Sequence, residues 1–155
     1  MNFICRIIST GLGVGYFPLV PGTMGALAIL ILYWIGPDFS SLQLLLIVAG
    51  ISALGIFSAT ITEREFTEKL GQEKGKDPGI IVIDEIVGML VTLIAIPKAT
   101  SYLIIAFILF RIFDITKPFP IRKVEKLHSG WGIVFDDIIA GIYANLIMQL
   151  GRIIF

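Results

Sequence analysis

Two stretches set acidic pairs into otherwise apolar sequence: Val82-Ile83-Asp84-Glu85-Ile86-Val87-Gly88 and Ile133-Val134-Phe135-Asp136-Asp137-Ile138-Ile139-Ala140-Gly141. Carboxylates among isoleucines and valines are costly unless something positive meets them. Four gathered together would repel unless a divalent cation bound them. Oxygen-only ligands favour Mg²⁺ or Mn²⁺ over zinc, so Asp84, Glu85, Asp136 and Asp137 are candidate ligands for Mg²⁺. Neighbours on a helix point about 100° apart, so one of each pair can face a partner helix while the other faces its flank. Gly88 and Gly141, about one turn beyond each pair, would let the two helices approach closely. Both pairs also lie near expected helix N-termini, where negative charge is favoured. The competing reading, separate surface carboxylates each paired with Lys or Arg, suits exposed acids better than these.

A second constellation is Arg111-Ile-Phe-Asp114-Ile-Thr-Lys117-Pro-Phe-Pro-Ile-Arg122-Lys123. Arg and Lys give charge-assisted contacts to phosphate. Lys117, three residues past Asp114, is the better candidate for direct contact. Arg122 is a further candidate, although Arg122, Lys123 and Lys126 also fit a basic loop attracted to anionic lipid. A third is Pro21-Gly22-Thr23: Thr23 would cap the next helix, whose free N–H groups could hold an anion. It is not a Walker A loop, which needs a Lys before the Thr. Asp77 and Asp114 are further carboxylates that could orient a water or complete a metal shell. His128 reads as a solvated loop residue and Cys5 as a membrane-facing one. Gly11, Gly13 and Gly15 lack the strand and third glycine of a dinucleotide fingerprint.

The elements that must position these groups are apolar helices. The chain is 155 residues, 56% hydrophobic and only 15% charged, against about 25% charged in soluble domains. It reads as one all-α, membrane-associated domain over residues 1–155. Its formal net charge of zero gives nucleic-acid binding no support. The single cysteine excludes an internal disulfide, and the glycines after Arg6 break any signal-peptide pattern. About five helices are expected, near 24–36, 41–66, 80–96, 100–113 and 134–154, after an interfacial N-terminal segment. Gly50 and Gly55 would permit close packing of the second, and Trp34 and Trp131 would anchor at the interface. Residues 80–113 could be one kinked span or a hairpin turning at Pro97-Lys98. The hairpin puts both acidic pairs on one side, with ten basic residues there and only Lys98 and Arg152 opposite. That asymmetry satisfies the positive-inside rule and makes the acidic side cytoplasmic.

Four motifs in order, Pro21-Gly-Thr-Met-Gly25, Lys76-Asp-Pro-Gly-Ile-Ile-Val-Ile-Asp-Glu-Ile-Val-Gly88, Phe113-Asp-Ile-Thr-Lys-Pro-Phe-Pro-Ile121 and Gly132-Ile-Val-Phe-Asp-Asp-Ile-Ile-Ala-Gly141, closely resemble the bacterial phosphatidylglycerophosphatase A family. The resemblance covers almost the whole chain. It implies an all-helical fold and Mg²⁺-dependent hydrolysis of the terminal phosphate of phosphatidylglycerophosphate, an anionic phospholipid, at the cytoplasmic face of the bacterial inner membrane. The matching positions are Thr23, Asp77, Asp84, Glu85, Asp114, Lys117, Asp136 and Asp137. His128-Ser129 stand where many members carry small residues. Two rivals remain on sequence. A small cation transporter would set its acids near mid-membrane. A phosphatidyl-transferring enzyme would need an Asp-Gly…Ala-Arg…Gly…Asp…Asp ladder, which is absent.

Overall fold

A computed structural model describes residues 3–70 and 79–154, the side chains of residues 69 and 70 excepted. Every element among them is helical: α1 (Phe3–Ser9), a 3-10 turn (Val14–Tyr16), α2 (Pro21–Ile35), α3 (Ser41–Leu70), α4 (Ile83–Thr92), α5 (Thr100–Thr116), the short α6 (Ile121–Val124) and α7 (Gly130–Ile154). The protein is a membrane-associated helical bundle. Two helices, spanning Ser41–Glu68 and Gly130–Ile154, are long and apolar enough to cross a bilayer. Large apolar side chains stay exposed along three helices: Leu45, Leu46 and Phe57 on α3, Ile104 and Ile108 on α5, Leu146 and Leu150 on α7. A soluble surface rarely tolerates so continuous an apolar patch.

α4 is the element that organises the rest. It packs against α2, α3, α5 and α7, and Val87, Gly88, Met89, Leu90 and Val91 are all buried. Its 10 residues rise about 15 Å, half of a hydrocarbon core of about 30 Å. The chain then turns at Leu93–Ala95 and re-enters as α5, so residues 80–113 form the expected hairpin. The turn comes earlier than Pro97-Lys98, because the apolar run continues past the end of the helix.

A helix that stops inside a bundle leaves carbonyls without partners. Here α7 supplies the donors. Asn145 Nδ2 donates to Thr92 O (2.9 Å) and Ile94 O (2.7 Å), Gln149 Nε2 to Ile94 O and Ala95 O (3.3 Å each), and Arg152 to Ala95 O (2.6 Å). These three polar side chains recur at helical spacing on one face of an apolar helix. Asn145→Leu keeps the volume but strands the Thr92 carbonyl and leaves that of Ile94 with only the longer bond from Gln149. It is expected to cost about 1–3 kcal/mol, read as a lower unfolding midpoint in detergent.

Several expectations need correction. Helix α2 starts at Pro21, with Val20 in the cap position, so Thr23 lies within the first turn and is not the N-cap. Proline's fixed φ and missing N–H suit it to that first position. Gly50 has open space around it and mediates no close helix contact, whereas Gly55 does pack closely, a Cβ there standing 3.2 Å from Ile83. Cys5 is buried, 7% exposed, and does not face lipid. Trp34 and Trp131 are both about half exposed. Asp77 lies outside the described residues, as do Lys74 and Lys76.

Candidate active site

The site forms where α4 and α7 touch backbone to backbone. A Cβ at Gly88 would stand 2.7 Å from the carbonyl oxygen of Asp137, and one at Gly141 would stand 2.3 Å from the carbonyl oxygen of Gly88. Only glycine permits that approach. It brings the first turn of α4, bearing Asp84 and Glu85, beside the second turn of α7, bearing Asp136 and Asp137. One carboxylate oxygen from each of Asp84, Glu85 and Asp137 falls within 4.8 Å of the other two. Asp84 and Asp137 are 6% and 2% exposed. The charge on Asp114 acts on both Asp136 and Asp137, and its side chain is paired with Arg111.

Two neighbours close the acidic cluster. The N-terminus of α2 presses on Glu85: a Cβ at Gly22 would stand 1.8 Å from Glu85 Oε1. Thr23 therefore belongs to a helix start that already faces a carboxylate of the protein. On the other side stands Lys117, the last residue of the α5 turn, with φ 43° and ψ 64°. Its Nζ donates to Asp136 Oδ2 at 2.6 Å and to Glu125 Oε1 at 2.8 Å. Burial pulls the Lys117 ammonium down, but Asp136 and Glu125 outweigh it and hold it above its usual value. It is a fixed positive charge across the working pH range and not a proton donor.

The structure thus separates the twin aspartates. Asp136 Oδ1 accepts the backbone N–H of Asp137 (2.9 Å) and Oδ2 accepts from Lys117, so both its oxygens are engaged. Asp137 joins the carboxylate triad, and its Oδ2 is buried with no hydrogen-bond partner among the described residues. The loop carrying Lys117 is held to α7 by Tyr143, whose hydroxyl donates to Phe119 O at 3.0 Å and whose ring meets Phe113 edge-on. Arg122 is exposed and donates to Thr116 O at 3.2 Å. His128 is also exposed, in an open groove with Glu63, Arg64, Thr67, Glu68 and Ser129. Neither is part of the acidic cluster.

Three further residues shape the site in ways the sequence reading did not assign. Glu125 meets Lys117 only because the chain reverses through Pro118 and Pro120. Arg111 stands one turn before Asp114, a spacing that makes ion pairs on helices and could have been read as one. Gly22 looks like part of an ordinary turn.

A carboxylate triad with Asp84 and Asp137 buried and Glu85 half-buried, close to a fixed lysine in a helical bundle with an apolar outer surface, fits a membrane-associated hydrolase of phosphate esters. The family model described as phosphatidylglycerophosphatase A matches residues 7–152. The chain belongs to the phosphatidylglycerophosphatase A family. It is 39% identical to the phosphatidylglycerophosphatase A of Escherichia coli (strain K12) over 152 residues, covering 95% of this chain and 83% of the relative. Identity to the Haemophilus influenzae enzyme of the same name is 39% over 146 residues, 92% and 85% of the two chains. A Bacteroides thetaiotaomicron protein named a putative phosphatidylinositol-3-phosphatase is 38% identical over 156 residues, 97% and 95%. No solved structure matches.

Proposed function

We propose that the protein hydrolyses the terminal phosphomonoester of phosphatidylglycerophosphate, giving phosphatidylglycerol and phosphate, with Mg²⁺, at the cytoplasmic face of a bacterial inner membrane. The observation that carries this reading is the triad Asp84, Glu85 and Asp137, which sits beside Lys117 in a chain of this family. The triad fits the ion. Three carboxylate oxygens gather within 4.8 Å of one another, an all-oxygen donor set suits Mg²⁺, and Asp137 Oδ2 is buried with no hydrogen-bond partner among the described residues. Asp84, Glu85 and Asp137 would hold Mg²⁺, which when bound polarises phosphoryl oxygens and makes water more acidic.

The chain's own groups do the remainder. Lys117 offers positive charge to the phosphoryl oxygens, with Asp136 fixing its ammonium. Asp114, steadied by Arg111, stands by Asp137 and can orient a water or accept its proton. Asp77 is kept as a second candidate for that role, and Thr23 and Arg122 as contacts to the headgroup. No step requires a covalent enzyme intermediate. The acids gather at the first turn of α4 and not half-way along a span, which argues against a cation transporter.

The test is phosphate release from phosphatidylglycerophosphate in mixed micelles. Expected is turnover that EDTA abolishes and Mg²⁺ restores, whereas turnover indifferent to EDTA would overturn the metal assignment. The name of the Bacteroides relative motivates a parallel arm with phosphatidylinositol 3-phosphate. Preference for that lipid would replace the glycerol headgroup and leave the chemistry as described.

A further inference from the structure

The carboxylate of Glu125 has no part in the triad, and the mechanism above does not use it. It is nonetheless bonded to Lys117, which among the described residues is the lysine paired with Asp136, Nζ to Oε1 at 2.8 Å. The two carboxylates on Lys117 differ sharply: the Asp136 side chain is 6% exposed and that of Glu125 is 49% exposed. An ion pair at the surface is cheap to break, and a buried one is not. An ammonium has three donors, so Asp136 and Glu125 take two and compete with any further anion for the charge.

We propose that Glu125 is a positioning residue that holds the place of the phosphoryl group on Lys117, keeping the ammonium aimed while the site is empty and giving it up when a phosphate dianion arrives. Asp136 is the permanent partner, because leaving it would strand a buried charge. Glu125 is the exchangeable one. It follows from α6 at the rim, where water can take over its hydration. The same exchange works in reverse for product, since Glu125 returns to Lys117 as inorganic phosphate leaves. This inference rests on the phosphatase reading and deepens it, because it assigns Glu125 a role in affinity for the phosphate group.

Glu125→Gln tests it. The amide keeps the length and an oxygen for Lys117 but drops the charge that opposes the incoming dianion. The expected result is a fall of about 3–10-fold in both KM for phosphatidylglycerophosphate and Ki for inorganic phosphate, with kcat unchanged or lower as product leaves more slowly. The effect should shrink at high salt. Glu68→Gln, which removes an exposed acid from the polar end of α3, should leave both constants at wild-type values. A KM and Ki that stay put or rise in folded Glu125→Gln would overturn the proposal. So would an equal fall in the Glu68 variant, which would point to general surface charge. If Glu125→Gln does not fold, Glu125→Asp draws the carboxylate back by one methylene, and Ki should fall less but in the same direction. No change there would also overturn it. Wild type that releases no phosphate from any lipid would instead defeat the phosphatase reading.

Discussion

Asp137→Asn is expected to abolish turnover while leaving the fold intact or firmer. Asp137 is 2% exposed and shares its surroundings with Asp84, Glu85, Asp114 and Asp136. Without a cation these charges repel, so replacing one by a neutral amide relieves the apo protein. With a cation the same replacement removes a ligand. Metal charge stabilisation is worth several kcal/mol, which corresponds to a loss of about 10³-fold or more in kcat. Thermal unfolding in detergent separates this from damage to the fold. Mg²⁺ should raise the midpoint of wild type, since a ligand that binds only the native state stabilises it. The apo midpoint of the variant should equal or exceed that of wild type, and Mg²⁺ should leave it unmoved. Near-wild-type phosphate release by the variant, or an undiminished Mg²⁺ shift, would remove Asp137 from its assigned place.

The long helices were the easiest part of the fold to read, because α3 opens with a charge-free apolar run of spanning length and α7 is predominantly apolar over its 25 residues. The hairpin was legible through charge: only a return after residue 92 collects the basic residues on one side. What the pattern could not show is where α4 stops. Leu93, Ile94 and Ile96 continue its apolar run, and the helix can end there because Asn145, Gln149 and Arg152, far along the chain on α7, donate to the carbonyls it leaves open. Sequence adjacency likewise marked Asp136 and Asp137 as a pair facing two ways. Which of the two turns to Glu85 and which to Lys117 depends on the rotation of α7 about its axis, set by the contact of Gly88 with Gly141. Thr23 was misplaced by one turn because Pro21 can open a helix as readily as precede one.

Gly141→Ala is expected to cost about 10²-fold in kcat without altering any charged group. The added methyl carbon would stand 2.3 Å from the carbonyl oxygen of Gly88, a backbone atom held inside a buried helix, and 3.0 Å from Val91 Cβ. Neither can swing aside as a flexible side chain could. Unstrained contacts between heavy atoms lie near 3.5 Å, so α4 and α7 must separate by about an ångström. That displacement acts directly on the site, because Asp84 and Glu85 ride on α4 and Asp137 on α7. Gly88→Ala meets the same wall from the other side, at 2.5 Å from Phe110 and 2.7 Å from the Asp137 carbonyl. Both variants should lose the Mg²⁺-induced rise in unfolding midpoint in proportion to activity. Gly50→Ala, where nothing lies within 4 Å, should keep full turnover and gain up to about 1 kcal/mol from helix propensity. Full activity in Gly141→Ala would mean that the two acidic pairs do not depend on helix contact for their spacing. The carboxylates would then have to be brought together by the cation itself, across helices free to adjust.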